Sequence, residues 1–188
     1  MKKTLIISSL VLMSLSILIG TKIYYRYNES LINVNDKNSI IEYILKTTQY
    51  KSIKILKEEK CEDYYCVLYS KVSKRDASYK SEELMIFRKS NISFLNRYDY
   101  YGKARSSKDF NTYNGYEGGK RDQSLIVVYG NNQMIQAKSY CVKNEKLYAN
   151  KNIDNKDYIL DIYILHHTDN CSSLNQLFDN TGNLICLF

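Results

Sequence analysis

The side chains best suited to chemistry gather near the C-terminus, where "HHTDNC" sets His166, His167, Asp169 and Cys171 close together. These types ligate transition metals, and a Cys near a His can also form a nucleophile and its base. The spacing argues against both. Successive strand residues point to opposite faces, so His166 continues the face of Leu160, Ile162 and Ile164 while His167 continues that of Asp161 and Tyr163. Adjacent histidines then do not share an ion, and the paired Cys or His spacings of structural zinc sites are absent. No local sequence marks Cys61, Cys66 or Cys141 as an activated thiol.

The other chemical signals are equally plain. Glu58/Glu59 and Glu82/Glu83 are adjacent pairs that face alternate ways or sit in loops, which reads as solvated charge rather than an acid and base. "GYEGGK" lacks the spacing and the following helix of a phosphate-binding loop. No catalytic residue, metal or cofactor is expected. The function class left is a non-catalytic binding or accessory module, with a thiol- or metal-dependent hydrolase of the envelope as the alternative.

Recognition has one candidate segment. "GKARSSKDFNTYNGYEGGKRD", from Gly102 to Asp122, holds four of the seven glycines in a chain without proline. It follows neither hydrophobic period and exceeds the connections of about 4–6 residues usual in compact domains, so it reads as a long surface loop. Tyr and Arg dominate binding hot spots. Phe110, Tyr113 and Tyr116, with Arg97, Arg105 and Arg121, are therefore the expected partner contacts. Acidic and basic groups alternate too evenly here to hold a polyphosphate backbone, and nucleic acid is not an expected partner.

The positioning elements follow from periodicity. In "SIIEYILKTTQY", Ser39 and Glu42 stand in capping-box spacing and Ile40/Ile44 in helical spacing, which predicts a helix over about 39–50. Period-two alternation then predicts strands in "SIKILK", "DYYCVLYSKV", "ELMIFRKS", "ISFLNRYDY", "MIQAKSYCV" and "DYILDIYILHH". "SLIVVYG" is a nearly continuous apolar run, the pattern of a central strand covered on both faces. "GNN" is expected to join it to "MIQAKSYCV" as a hairpin, and "DNTGN" to close a second one at the C-terminus. The expected class is α+β, one helix packed on a largely antiparallel, curved sheet of about seven to nine strands.

The N-terminus sets location. Lys2 and Lys3 precede an uncharged run from Thr4 to Thr21, followed by Lys22, Tyr24, Tyr25 and Arg26. A helix there would rise about 27 Å, close to a hydrocarbon core of about 30 Å. Residues 1–27 are thus expected to be a signal-anchor, with the membrane contacted through 4–25, a polar linker over 28–38, and one extracytoplasmic domain over 39–188. The alternative is cleavage and secretion. The partners expected are the membrane and an envelope protein or surface ligand.

Charge and cysteines add little more. The chain carries +7, but four of its basic residues belong to the N-terminal run, which leaves a weakly basic domain. The nineteen tyrosines, with abundant Asn, Lys and Ile, match an AT-biased bacterial genome and carry no functional weight by themselves. Five cysteines leave at least one unpaired in a monomer. Cys61 with Cys66, and Cys141 with Cys186, are the pairs an oxidising compartment would permit.

Overall fold

A computed structural model describes residues 13–25, 31–73, 80–91, 96–105, 109–117, 123–133, 135–166 and 173–188. Residues 13–25 are helical (α1), and a second helix spans Lys37–Thr47 (α2). The strands are β1 (Tyr50–Cys61), β2 (Tyr64–Ser73), β3 (Lys80–Lys89), β4 (Tyr98–Arg105), β5 (Phe110–Glu117), β6 (Gln123–Asn131), β7 (Ser139–Lys143), β8 (Tyr148–Asn152), β9 (Tyr158–His166), β10 (Leu174–Phe178) and β11 (Leu184–Leu187).

α2 begins earlier than its capping-box signal. Asp36 is the N-cap, its Oδ1 accepting from the Asn38 amide at 3.0 Å, whereas Ser39 Oγ instead accepts from the Asn33 amide at 3.4 Å. Asp caps as well as Ser and comes first along the chain. The apolar pair is where its spacing put it: Ile40 and Ile44 are both fully buried.

The strands form three antiparallel sheets, ordered β1-β2-β3-β4, β5-β6-β9 and β11-β10-β7-β8. Side-chain alternation stacks them. One face of the first sheet packs Val67, Tyr69, Met85, Phe87 and Tyr98 against Ile40 and Ile44 of α2. Its other face, with Cys66, Leu68, Leu84 and Ile86, meets Leu125, Val127, Tyr129 and Leu160 of the second sheet. The far side of that sheet, with Phe110, Ile126, Val128 and Ile159, covers Tyr140, Val142 and Leu177 of the third. β6 lies at the centre, buried from Gln123 to Gly130, as its unbroken apolar run predicts.

This arrangement overturns the α+β expectation. The protein is mostly β, with three cores where a single curved sheet under one helix would have one. A strand apolar on both faces needs a covering layer on each side, so β6 forces two interfaces. The transmembrane helix is corrected as well: among the described residues no helix is long and apolar enough to cross a membrane.

The predicted loop over 102–122 is replaced largely by structure. Residues 102–105 finish β4 and 110–117 form β5; 106–108 and 118–122 lie outside the described residues. Two of its glycines make room rather than turns. The Tyr113 ring lies across both: a Cβ on Gly102 would come within 2.8 Å of the Tyr113 hydroxyl, and one on Gly115 within 2.9 Å of Tyr113 Cε1.

One hairpin forms and one does not. β10 and β11 pair around "DNTGN", with Gly182 at φ 83° and Asp179 Oδ1 accepting from the Thr181 and Asn183 amides. β6, by contrast, pairs with β5 and β9, and β7 belongs to the third sheet. The chain changes layers at Asn132, whose buried amide accepts from the Ala137 N–H at 2.8 Å and donates to the Ala137 carbonyl at 3.0 Å. That closed loop replaces a tight turn.

Candidate functional site

The first sheet buries a charge. Glu83 continues the face of Met85 and Phe87 beyond the end of α2 and is wholly buried, a correction to its reading as a solvated carboxylate. Register explains its neighbours. Tyr69 is opposite Glu83, Ser81 is opposite Lys71, and Arg105 is opposite Glu83 on β4, so Tyr69, Lys71, Glu83 and Arg105 point the same way. Tyr50, at the start of β1, closes over the group.

The carboxylate is surrounded by donors. Lys71 Nζ is hydrogen-bonded to Oε1, Lys103 Nζ lies 2.9 Å from Oε2, and Tyr69 donates to Oε2 at 2.8 Å. The Tyr50 hydroxyl sits 2.8 and 2.7 Å from the two oxygens, and Arg105 Nε is 3.5 Å from Oε1. Lys71 and Lys103 also flank the Tyr50 ring at 4.5 and 5.1 Å from its centroid. Burial pushes the Glu83 pKa up, but the bonds from Lys71, Lys103, Tyr50 and Tyr69 outweigh it and hold the carboxyl below its ordinary range. For Lys103 burial lowers the pKa while Glu83 and Tyr50 raise it further, and the ammonium is kept charged.

A carboxylate whose lone pairs are all occupied cannot also take a substrate proton. Its role is electrostatic, holding lysines in place where a lone ammonium would be costly. Arg105 is largely exposed, and Lys103 is the member of the cluster that faces the neighbouring cleft. That lysine lines a cleft of about 280 Å³ between the C-terminal end of α2 and β4, together with Tyr43, Thr47, Thr48, Met85 and Tyr100.

A β-bulge builds this cleft. Phe87 pairs with Tyr100 and Ile86 with Gly102, so Tyr101 is an extra residue on β4. In a regular strand Tyr100 and Lys103 would face opposite ways. The bulge puts both on the α2 side and sends Tyr101 to the opposite core, edge-on to Tyr64 with ring centroids 5.3 Å apart. At the helix end, the Thr47 and Thr48 hydroxyls donate to the Tyr43 and Ile44 carbonyls.

A second buried carboxylate serves packing between the second and third sheets. Asp161 accepts from Tyr140 at 2.7 Å and pairs with Lys151, and the Tyr140 and Tyr163 hydroxyls are 2.6 Å apart. Burial, followed by Asp161, pushes the Tyr140 hydroxyl up, so it remains a donor.

The residues singled out from sequence are dispersed. Phe110 is 2% exposed in the core, edge-on to Phe188, and Tyr113 is half-buried on the opposite face of β5. Tyr116 is exposed, Arg97 is half-buried, Arg105 belongs to the Glu83 cluster, and Arg121 lies outside the described residues. His166 is exposed at the end of β9, 3.4 Å from Glu62. His167, Asp169 and Cys171 fall outside the described residues. Among the described residues no group of three His, Cys, Asp or Glu side chains could hold a metal.

Cys61, Cys66, Cys141 and Cys186 are free thiols. Cys66 is opposite Glu59, two positions from Cys61, so these two share a face as diagonal neighbours. Diagonal positions are about 7–8 Å apart, beyond the usual disulfide separation. Cys141 aligns with Gln176 and Leu187, whereas Cys186 aligns with Leu177 and Tyr140, which places that pair on opposite faces of the third sheet.

Lys103, Glu83 and Tyr100 were not among the expected site residues. A signal for two of the cluster was present: Lys71 and Glu83 are opposite charges at the ends of apolar faces on neighbouring strands. The bulge has no comparable signature. The fold and site together define a mostly β stack of three antiparallel sheets with a cleft lined by Lys103 at its helix-covered end. In comparisons with known proteins, no family model matches the chain, and neither a curated protein nor a solved structure matches it.

Proposed function

We propose that residues 31–188 form a non-catalytic binding module that seats a small ligand in the cleft between α2 and β4. The observation that carries this reading is the bulge at Tyr101, which aims Tyr100 and Lys103 into one cavity. Bulges re-aim side chains at binding sites, and a concave seat with a few convergent polar groups is the usual form of a ligand site. Tyr100 is 50% exposed with no core to fill.

The N-terminal apolar run serves as an export leader in this reading. Every residue of α1 from 13 to 25 is exposed and none belongs to the three cores, so the folded body does not need it. The protein then acts outside the cytoplasm. Sequencing the N-terminus of the mature protein from culture medium tests this; a full-length chain confined to the cytosol overturns it.

Amide NMR with a library of small fragments tests the cleft. Shifts should concentrate at Tyr43, Thr47, Thr48, Met85, Tyr100 and Lys103, and Tyr100→Ala should remove them with the rest of the spectrum intact. No fragment perturbing these residues would overturn the reading.

A further inference from the structure

The charge around Glu83 does not balance. One buried carboxylate stands against two largely buried lysines, Lys71 and Lys103, with the mostly exposed Arg105 at its edge, and Lys103 is the member that reaches the cleft. Its ammonium has three hydrogens. Among the described residues, Glu83 Oε2 at 2.9 Å and the Tyr50 hydroxyl at 3.1 Å take two of them. The third remains for a ligand in a site with half-desolvated walls, where a charge-assisted bond is stronger than in water.

The rest of the lining sets the body and the charge of that ligand. Tyr43, Tyr100 and Met85 present aromatic and apolar surface. A volume of about 280 Å³ is at the low end of ligand pockets, which admits a single ring or branched chain. The C-terminal end of α2 also borders the cleft, and the negative end of a helix dipole disfavours additional negative charge. A monoanion fits this balance better than a dianion.

We propose that the cleft binds a small organic carboxylate with an aromatic or branched apolar body. The carboxylate accepts from Lys103 Nζ, and the body lies against Tyr43, Tyr100 and Met85. Glu83, Lys71 and Tyr50 act as positioning residues that hold the ammonium at the mouth of the cleft. This assignment of ligand class rests on the binding-module reading above.

The probes are phenylacetate, its neutral analogue phenylacetamide, and phenyl phosphate, titrated into the full chain by NMR and calorimetry. Phenylacetate should bind at least about tenfold more tightly than phenylacetamide, the worth of one hydrogen bond to a charged group, and more tightly than phenyl phosphate. Added salt should weaken phenylacetate alone. Lys103→Gln should erase the preference for phenylacetate over phenylacetamide, and Tyr100→Ala, which leaves the Glu83 cluster whole, should weaken both. Equal binding of phenylacetate and phenylacetamide overturns the carboxylate while the binding module stands. Tighter phenyl phosphate overturns the monoanion. Failure of all three probes while other fragments occupy the cleft also overturns the proposed class, and failure of every fragment removes the binding reading with it.

Discussion

Tyr100 and Lys103 are three positions apart on β4 and line the same cleft, because Tyr101 is taken up in a bulge opposite β3. An odd separation in a pleated strand would normally split them between two cores. The same bulge brings Lys103 to the buried Glu83, so the cleft and the charge cluster are one construction.

That coupling makes Glu83 sensitive to substitution. Glu83→Gln leaves the Lys71 ammonium, whose side chain is 8% exposed, without its counter-ion. Breaking a buried pair from one side costs about 3–5 kcal/mol, whereas replacing both partners by apolar groups is far milder. Urea unfolding should therefore find Glu83→Gln much less stable than the Glu83→Leu/Lys71→Met/Lys103→Met triple variant, which strands neither lysine. A triple variant as unstable as the sum of its parts would refute a dominant desolvation effect.

Acid should weaken the same cluster. The Glu83 carboxyl titrates below its ordinary 4.5, because the bonds from Lys71, Lys103, Tyr50 and Tyr69 exceed the upward push of burial. A depressed carboxyl contributes stability that is present above the unfolded pKa and lost as pH falls through the folded one. Denaturation midpoints measured below about pH 4.5 should fall more steeply for the wild type than for Glu83→Gln. Lys103 has the opposite sign: its raised pKa contributes stability below 10.5 that disappears in stronger alkali.

Gly130 is needed for the second sheet to form. A Cβ there would stand 2.1 Å from the Asp109 carbonyl oxygen and 2.8 Å from Phe110 Cα, both backbone atoms at the start of β5. Overpacking of this kind costs about 1–3 kcal/mol or more. Gly130→Ala should lower the unfolding midpoint and increase amide exchange across the β5–β6 pairing. Unchanged exchange would contradict the close approach.

Thiol labelling should separate the cysteines. Burial, with smaller contributions from Cys61 and Glu59, pushes the Cys66 thiol far up, so it stays protonated and sheltered. The Cys61 thiol is also raised, first by burial, but is only half-buried. In native protein Cys61 should react before Cys66, which should wait for unfolding. Oxidation followed by peptide mapping should give no Cys141–Cys186 bridge within a monomer, because the two point to opposite faces of the third sheet.

Several elements were legible before folding was considered. Ile40 and Ile44 at helical spacing locate the buried face of α2, the run "SLIVVYG" identifies a strand covered on both sides, and "DNTGN" marks the last hairpin. Each depends on contacts within a few residues, which sequence periodicity records directly. The partners of those elements were hidden. β6 looks equally ready to pair with the strand that follows it, and only the loop closed by Asn132 sends that strand into another sheet. Gly102 and Gly115 resemble turn residues until Tyr113 is placed across them.

The candidate site divides along the same line. The sequence by itself determined that Lys71 continues the alternation of Val67 and Tyr69 and that most of the chain would form amphipathic or fully covered strands, while Glu83 read as a solvated charge. Tertiary structure alone decided that the two charges meet, that α2 stops short of them, and that a one-residue bulge turns Lys103 toward the resulting gap. The physical reason is range. Side-chain direction along a strand is set locally, whereas register, layer order and the burial of a charge depend on strands far apart in the chain finding one another.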